Sequence, residues 1–165
     1  MPTIGKGIGA SNMQNGIINV IPWICVAIAL WAVPRHAAKH GATRWHIVAP
    51  MLIAAAALLG SVVLPGSVVK FICLCVAAAA VFSAQPVFWS VPQRLLTGAH
   101  AAAGLAAINS VGNLGGFAAQ NVVPAVRDAT GSNLAPMALL SAALALSAVG
   151  FFLVLPRIMG GKVGN

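Results

Sequence analysis

Side-chain amides recur on one face of an apolar segment in the second half of the chain. At 100° per residue on a helix, four positions fall within about 60° of one another: Asn109, Asn113, Gly116 and Gln120. Amides facing lipid would be costly, so this amide stripe must face other helices or a water-filled cavity. Both alternatives stay open, because interhelical hydrogen bonds would satisfy the amides without a ligand. In a cavity, neutral amides could bind a polar solute but could not supply a titrating group.

Two glycines lie beside the amide stripe at the spacing that favours close helix packing. Gly112 and Gly116 form a GxxxG pair. In membranes such small-residue pairs allow the backbones of two helices to approach closely. We therefore predict that this pair packs against a neighbouring helix.

A second polar cluster lies at the end of an earlier apolar segment, in the sequence Gln85-Pro86-Val87-Phe88-Trp89. Gln85 and Trp89 are four residues apart, so they share a helix face. Pro86 removes one backbone donor, and interrupted helices near polar groups are typical of transporter binding sites. An aromatic anchor at the membrane interface is the competing interpretation of Trp89. The spacing does not separate these two interpretations.

The sequence gives little support for catalysis, phosphate binding or metal binding. The chain has one acidic residue, Asp128, so paired carboxylates are impossible within one copy, and no glycine-rich loop with a lysine could bind phosphate. We expect no enzymatic activity and no cofactor. We also expect no metal site, because all three cysteines lie in apolar segments and no acid is available to orient the histidines. The cysteines are Cys25, Cys73 and Cys75, and the histidines are His36, His40, His46 and His100.

The elements that must position these side chains are membrane-spanning helices. Of the 165 residues, 60% are hydrophobic and 6% are charged, whereas a soluble domain carries about 25% charged residues. A spanning helix needs about 20 largely apolar residues. Five such runs are present, so the predicted fold class is all-α transmembrane. Their approximate bounds are 17–33, 47–64, 71–91, 101–126 and 134–155.

The basic residues predict an orientation. With five spans, one set of connectors holds six bases, and the other holds three bases and Asp128. The six are Arg35, Lys39, Arg44, Arg94, Arg157 and Lys162; the three are Lys6, Lys70 and Arg127. The positive-inside rule then places the N-terminus outside and the tail 157–165 in the cytoplasm. Because the bases are divided among short loops, the net charge of +8 does not indicate nucleic-acid binding.

Four motifs resemble one transporter family. Ser11-Asn12-Met13-Gln14-Asn15-Gly16 followed by Ile21-Pro22 resembles its entry into helix eight. The stretch Pro34–His46, PRHAAKHGATRWH, resembles its loop between helices eight and nine. Gln85–Trp89 resembles its helix ten, and Ile108–Gly116 its helix eleven. Together they resemble the anion:cation symporter family of the major facilitator superfamily, which includes tartrate, phthalate and sugar-acid permeases.

The resemblance implies that the chain is the C-terminal half of a twelve-helix transporter, lacking most of its first helix. Residues 1–16 would be the extracytoplasmic end of helix seven and a loop, and residues 17–156 would be helices eight to twelve. We expect either a truncated gene product or a start site assigned too far downstream. The implied location is the bacterial inner membrane, and the implied partners are the lipid bilayer, a small organic anion and a proton.

The resemblance also implies roles for individual residues. Trp89 and Asn109 match positions that contact the organic acid in sugar-acid members; Asn113, Gln85 and Gln120 would extend that substrate site. A cytoplasmic gating loop would include Arg35, Lys39, Gly41 and Arg44. The family has an Asp where this chain has Ala38, which puts an intact gate in doubt.

The function implied is proton-coupled symport of a small organic anion by alternating access in the full-length parent, with this fragment inactive alone. The alternative is a non-transporting membrane partner that associates with an N-terminal half-transporter or with itself.

Overall fold

A computed structural model describes residues 12–41, 44–96 and 98–158. Within those ranges the chain forms five helices and no strand. They are α1 Asn12–His40, α2 Trp45–Val63, α3 Ser67–Leu95, α4 Ala99–Thr130 and α5 Leu134–Ile158. Of the segment predicted as the outer end of helix seven and a loop (residues 1–16), residues 1–11 lie outside the described residues, and residues 12–16 belong to α1. Most of the predicted tail also lies outside the described residues.

The helices are longer than the apolar runs that predicted them. The first extends to His40 rather than 33, and the third covers 67–95 rather than 71–91. Hydropathy detects only the portion that suits hydrocarbon, whereas the hydrogen-bonded helix continues into the polar region beyond it. Among the described residues, four helices are long and apolar enough to cross a membrane. The helix α4 is not one of them, because its amides and glycines lower its hydropathy.

The turns between helices use glycine in a left-handed conformation. Gly66, with φ of +89°, ends the short connector between α2 and α3. Gly131, with φ of +63°, follows α4, and its amide donates to the Arg127 carbonyl at 2.8 Å. Such positive φ values strain residues with a side chain but not glycine.

Four helices pack into one unit, with α3 against α1 and α2, and α5 against α2. Its core joins Ala37 of α1, Ile47 of α2, Val87 of α3 and Leu155 of α5, with Phe88 and Phe151 packed against them. Elsewhere the buried positions are mainly small, including Ala54 and Ala148, which are both fully buried. Small side chains permit the close backbone approach on which helix association in membranes depends. We call α1, α2, α3 and α5 the packed unit.

The fourth helix stands largely apart from the packed unit. It contacts α5 and α3 only sparsely. Its large apolar side chains are open to the surroundings: Val111 is 69% exposed, Leu114 68% and Phe117 69%. The helix therefore owes its position mainly to the two short connectors at its ends.

Candidate functional site

Gln85 and Trp89 lie on the packed unit, near an apolar cavity. Gln85 lines a cavity of about 350 Å³ bounded by α2, α3 and α5, whose wall includes Met51, Phe88 and Phe151. Trp89 is half-buried and contacts Phe88 edge-on, with ring centroids 5.2 Å apart. The cavity thus combines one amide with aromatic walls, which suits a ligand with an apolar body and a polar group.

The helix carrying these residues is not interrupted at Pro86. α3 runs without a break from Ser67 to Leu95. Pro86 lacks only the single N–H that would donate to the carbonyl of Phe82, and membrane helices tolerate such a loss. The broken-helix geometry considered from the sequence is therefore absent from α3.

The amide stripe is exposed on α4. Asn109, Asn113 and Gln120 are all exposed, and none makes a side-chain hydrogen bond within the described part of the chain. The neighbouring Asn121 differs, because its amide donates to the Phe117 carbonyl at 2.8 Å. No α4 residue lines the cavity beside Gln85. The structure therefore does not bring the two predicted clusters together.

The predicted packing glycines are also uncovered. A Cβ atom placed on Gly112 or Gly116 would meet nothing within 4 Å. By contrast, a Cβ on Gly60 of α2 would lie 3.2 Å from the Cys73 sulfur of α3. Close glycine packing thus occurs between α2 and α3, while the GxxxG pair of α4 has no neighbour among the described residues.

The residues predicted as a gating loop lie mostly on helices. Arg35 and Lys39 belong to the last turns of α1, only Gly41 lies in the connector, and Arg44 immediately precedes α2. Basic side chains near a helix C-terminus interact favourably with its dipole, which helps α1 continue to His40. The Arg44 guanidinium lies 4.3 Å from the ring centroid of Phe152 on α5. It therefore joins the start of α2 to α5.

Two contacts between histidines, where the end of α1 meets the start of α2, were not predicted from the sequence. The Nδ1 atom of His36 lies 2.9 Å from the Nε2 atom of His46, a hydrogen bond that joins α1 to α2. His36 also stacks on His40, with ring centroids 4.3 Å apart. The one-turn spacing of His36 and His40 is a signal from which their stacking could have been predicted, but no sequence signal indicates the contact with His46. No cluster suited to a metal ion occurs among the described residues.

Comparison with known proteins identifies relatives over nearly the whole chain. A protein from Agrobacterium vitis named as a tartrate transporter is 38% identical across 98% of this chain. A quinolone resistance transporter from Acinetobacter baumannii is 35% identical across 96% of it, and the metabolite transport protein NicT from Pseudomonas putida is 32% identical across 89%. This chain is homologous to bacterial transporters of the major facilitator type. The resemblance predicted from the motifs is thereby confirmed.

The chain spans 34 to 38% of the length of these three relatives. No family model matches it, and no solved structure matches significantly. The relatives and the four apolar helices make it an integral membrane protein of the bacterial membrane. Its relatives are named as transporters rather than enzymes.

Proposed function

We propose that this chain is the C-terminal part of a transporter that moves a small organic anion across the bacterial inner membrane. The mechanism is proton-coupled symport with alternating access. The observation that carries the proposal is the 38% identity to the tartrate transporter across 98% of the chain. The N-terminus lies outside and the C-terminus in the cytoplasm, as the distribution of bases favours.

The side chains support a role in binding rather than in coupling. Amides can donate to the carboxylate and hydroxyl oxygens of an organic acid, as Gln85 and the exposed amide stripe are free to do. Proton coupling within a membrane typically uses ionisable side chains, above all carboxylates. The one acid, Asp128, lies in the last turn of α4 rather than within a span. We therefore expect coupling groups to come from elsewhere in the full-length protein, and the 165-residue chain to be inactive alone.

Uptake into proteoliposomes tests this proposal. Labelled tartrate or a sugar acid is offered under an imposed proton gradient to the chain alone, and to the chain co-reconstituted with the N-terminal part of the Agrobacterium relative. We expect uptake only from the pair, reduced at least tenfold by Asn109→Ala. Asn121→Ala is the matched control. Asn121 lies about 120° from Asn109 around the axis of α4, and its amide already donates to the Phe117 carbonyl.

The outcomes discriminate between the parts of the proposal. Strong proton-driven uptake by the chain alone would show that it is not an inactive part. An active pair that transports no organic acid would exclude the proposed substrate class. Equal effects of the two Asn substitutions would remove the amide stripe from the substrate site.

The alternative function is association through α4 without transport. It is favoured by the open space at Gly112 and Gly116, where this chain supplies no packing partner within its described residues. The substitution Gly116→Leu should leave the packed unit intact, so any change in association reports on a partner. We expect it to weaken crosslinking between copies, or to the N-terminal part, severalfold. Unchanged crosslinking would count against this interface.

A further inference from the structure

A small cavity lies between the ends of α1 and α3 and is separate from the cavity beside Gln85. Its volume is about 240 Å³. Most of the side chains that line it are small or apolar, and Arg94 is the one cation among them. The lining residues are Pro34, Ala37, Ala38, Gly41, Pro86, Val87, Ser90 and Arg94.

Arg94 has no anionic partner among the residues that the structure describes. Its guanidinium is exposed in the last turn of α3 and makes no hydrogen bond or ion pair within the described residues. The Ser90 hydroxyl donates to the Val87 carbonyl at 2.7 Å, so its proton is already used. An anion entering the cavity would therefore be bound mainly by Arg94.

The described charges around the cavity are all positive. The ends of α1, α3 and α5 and the start of α2 lie together here, as the contacts of Ala37, Ile47, Val87 and Leu155 show. This end carries five described cations: Arg35, Lys39, Arg44, Arg94 and Arg157. The only acid in the sequence, Asp128, lies near the far end of α4, about 44 Å along that helix. No described residue at this end supplies a compensating negative charge, so the site is open to an anion from the surroundings.

The position of the cavity indicates the source of that charge. It opens where two membrane-crossing helices end, which is the level of lipid head groups rather than the bilayer midplane. Basic pockets between transmembrane helices bind the head groups of anionic lipids. We infer that this cavity binds an anionic phospholipid, with the phosphate on Arg94 and the glycerol region against the apolar walls of Pro34, Pro86 and Val87.

Native mass spectrometry of the purified chain in neutral detergent tests the inference. The protein is titrated with phosphatidylglycerol, with phosphatidylcholine and with glycerol 3-phosphate. We expect a clear preference for phosphatidylglycerol. Arg94→Gln should weaken that binding about fivefold or more, the scale of one basic residue at a membrane surface. Arg157→Gln, a cation at the same end that does not line the cavity, should change it less than twofold.

A second pair of variants does not touch the arginine. Ala38→Asp places a carboxylate in the cavity, where it would neutralise Arg94 and abolish the preference; Ala38→Asn, of the same size but uncharged, should retain it. Ala38 is exposed, so both variants should fold. Equal losses in Arg94→Gln and Arg157→Gln, or equal effects of Asp and Asn at position 38, would overturn the inference. Competition by glycerol 3-phosphate as strong as by the lipid would show a free-phosphate site instead.

Discussion

The packed unit and α4 both consist of long helices, but only the helices of the packed unit bury side chains against one another. In the packed unit, small side chains such as Ala54 and Ala148 are fully buried, and the polar group of Ser83 donates to its own helix at 2.8 Å. In α4, apolar and amide side chains alike remain uncovered. The position of a membrane helix therefore depends on the helices that pack against it. Helix propensity and length form α4, but they do not give it a neighbour.

The largest difference between the two regions should come from a core truncation. Ile47 is 1% exposed and joins four helices, so Ile47→Ala should destabilise the chain by about 2–4 kcal/mol through lost packing. Val111→Ala on α4, at 69% exposure, should change the stability by less than about 0.5 kcal/mol. Denaturant titration in detergent micelles measures both. Equal costs would mean that α4 is packed after all.

A second test adds volume instead of removing it. Gly60→Val forces a side chain against the Cys73 sulfur, where a Cβ alone would be 3.2 Å away, so it should cost about 1–3 kcal/mol. Gly112→Val meets open space, and valine has a slightly higher helix propensity than glycine, so the stability should stay the same or rise slightly. Thermal unfolding in detergent provides the measurement. A large cost at Gly112 would reveal a neighbour that this chain contacts there.

Removing a cation should have a smaller effect. Arg44→Gln loses the contact with Phe152, which joins α2 to α5, and should cost about 0.5–1 kcal/mol. Arg127→Gln, in the last turn of α4, removes no such contact and should be neutral within about 0.3 kcal/mol. The unfolding midpoints of the two variants can be compared directly. A comparable loss for Arg127→Gln would contradict the assignment of Arg44 as a link between helices.

The smallest expected effect concerns one hydrogen bond between helices. His36→Ala removes the contact with His46 across the α1–α2 connector and should cost about 0.5 kcal/mol, the low end for a hydrogen bond, because the pair is exposed. Asn121→Ala removes a bond within α4 and should have almost no effect, because water or lipid head groups can replace an exposed partner. Hydrogen exchange of the α1 end should rise in the first variant only. Protection unchanged by His36→Ala would show that the connector is fixed by other contacts.

Much of the fold was predictable because the solvent for these helices restricts the choices. Long apolar runs must form helices in hydrocarbon, so five helices and their approximate positions followed from the sequence. The helix ends did not, because Arg35, Lys39 and His40 are polar yet compatible with a helix. The chemistry of the candidate site was predictable at the level of residue type. Gln85, a candidate from the sequence, lines a cavity in the structure, whereas the aromatic walls supplied by Phe88 and Phe151 were not predicted.

The sequence by itself determined the class of protein and its relatives, since both depend on composition and on local motifs such as Gln85–Trp89 and Ile108–Gly116. The amide stripe was also determined, because 3.6 residues per turn fix which side chains share a face. Only the tertiary structure decided that the amide stripe is exposed and that Arg44 contacts Phe152 of α5. It also decided that Arg94 is the cation that lines the cavity beside Ala38. Those facts depend on contacts between helices far apart in sequence, and no local pattern encodes them.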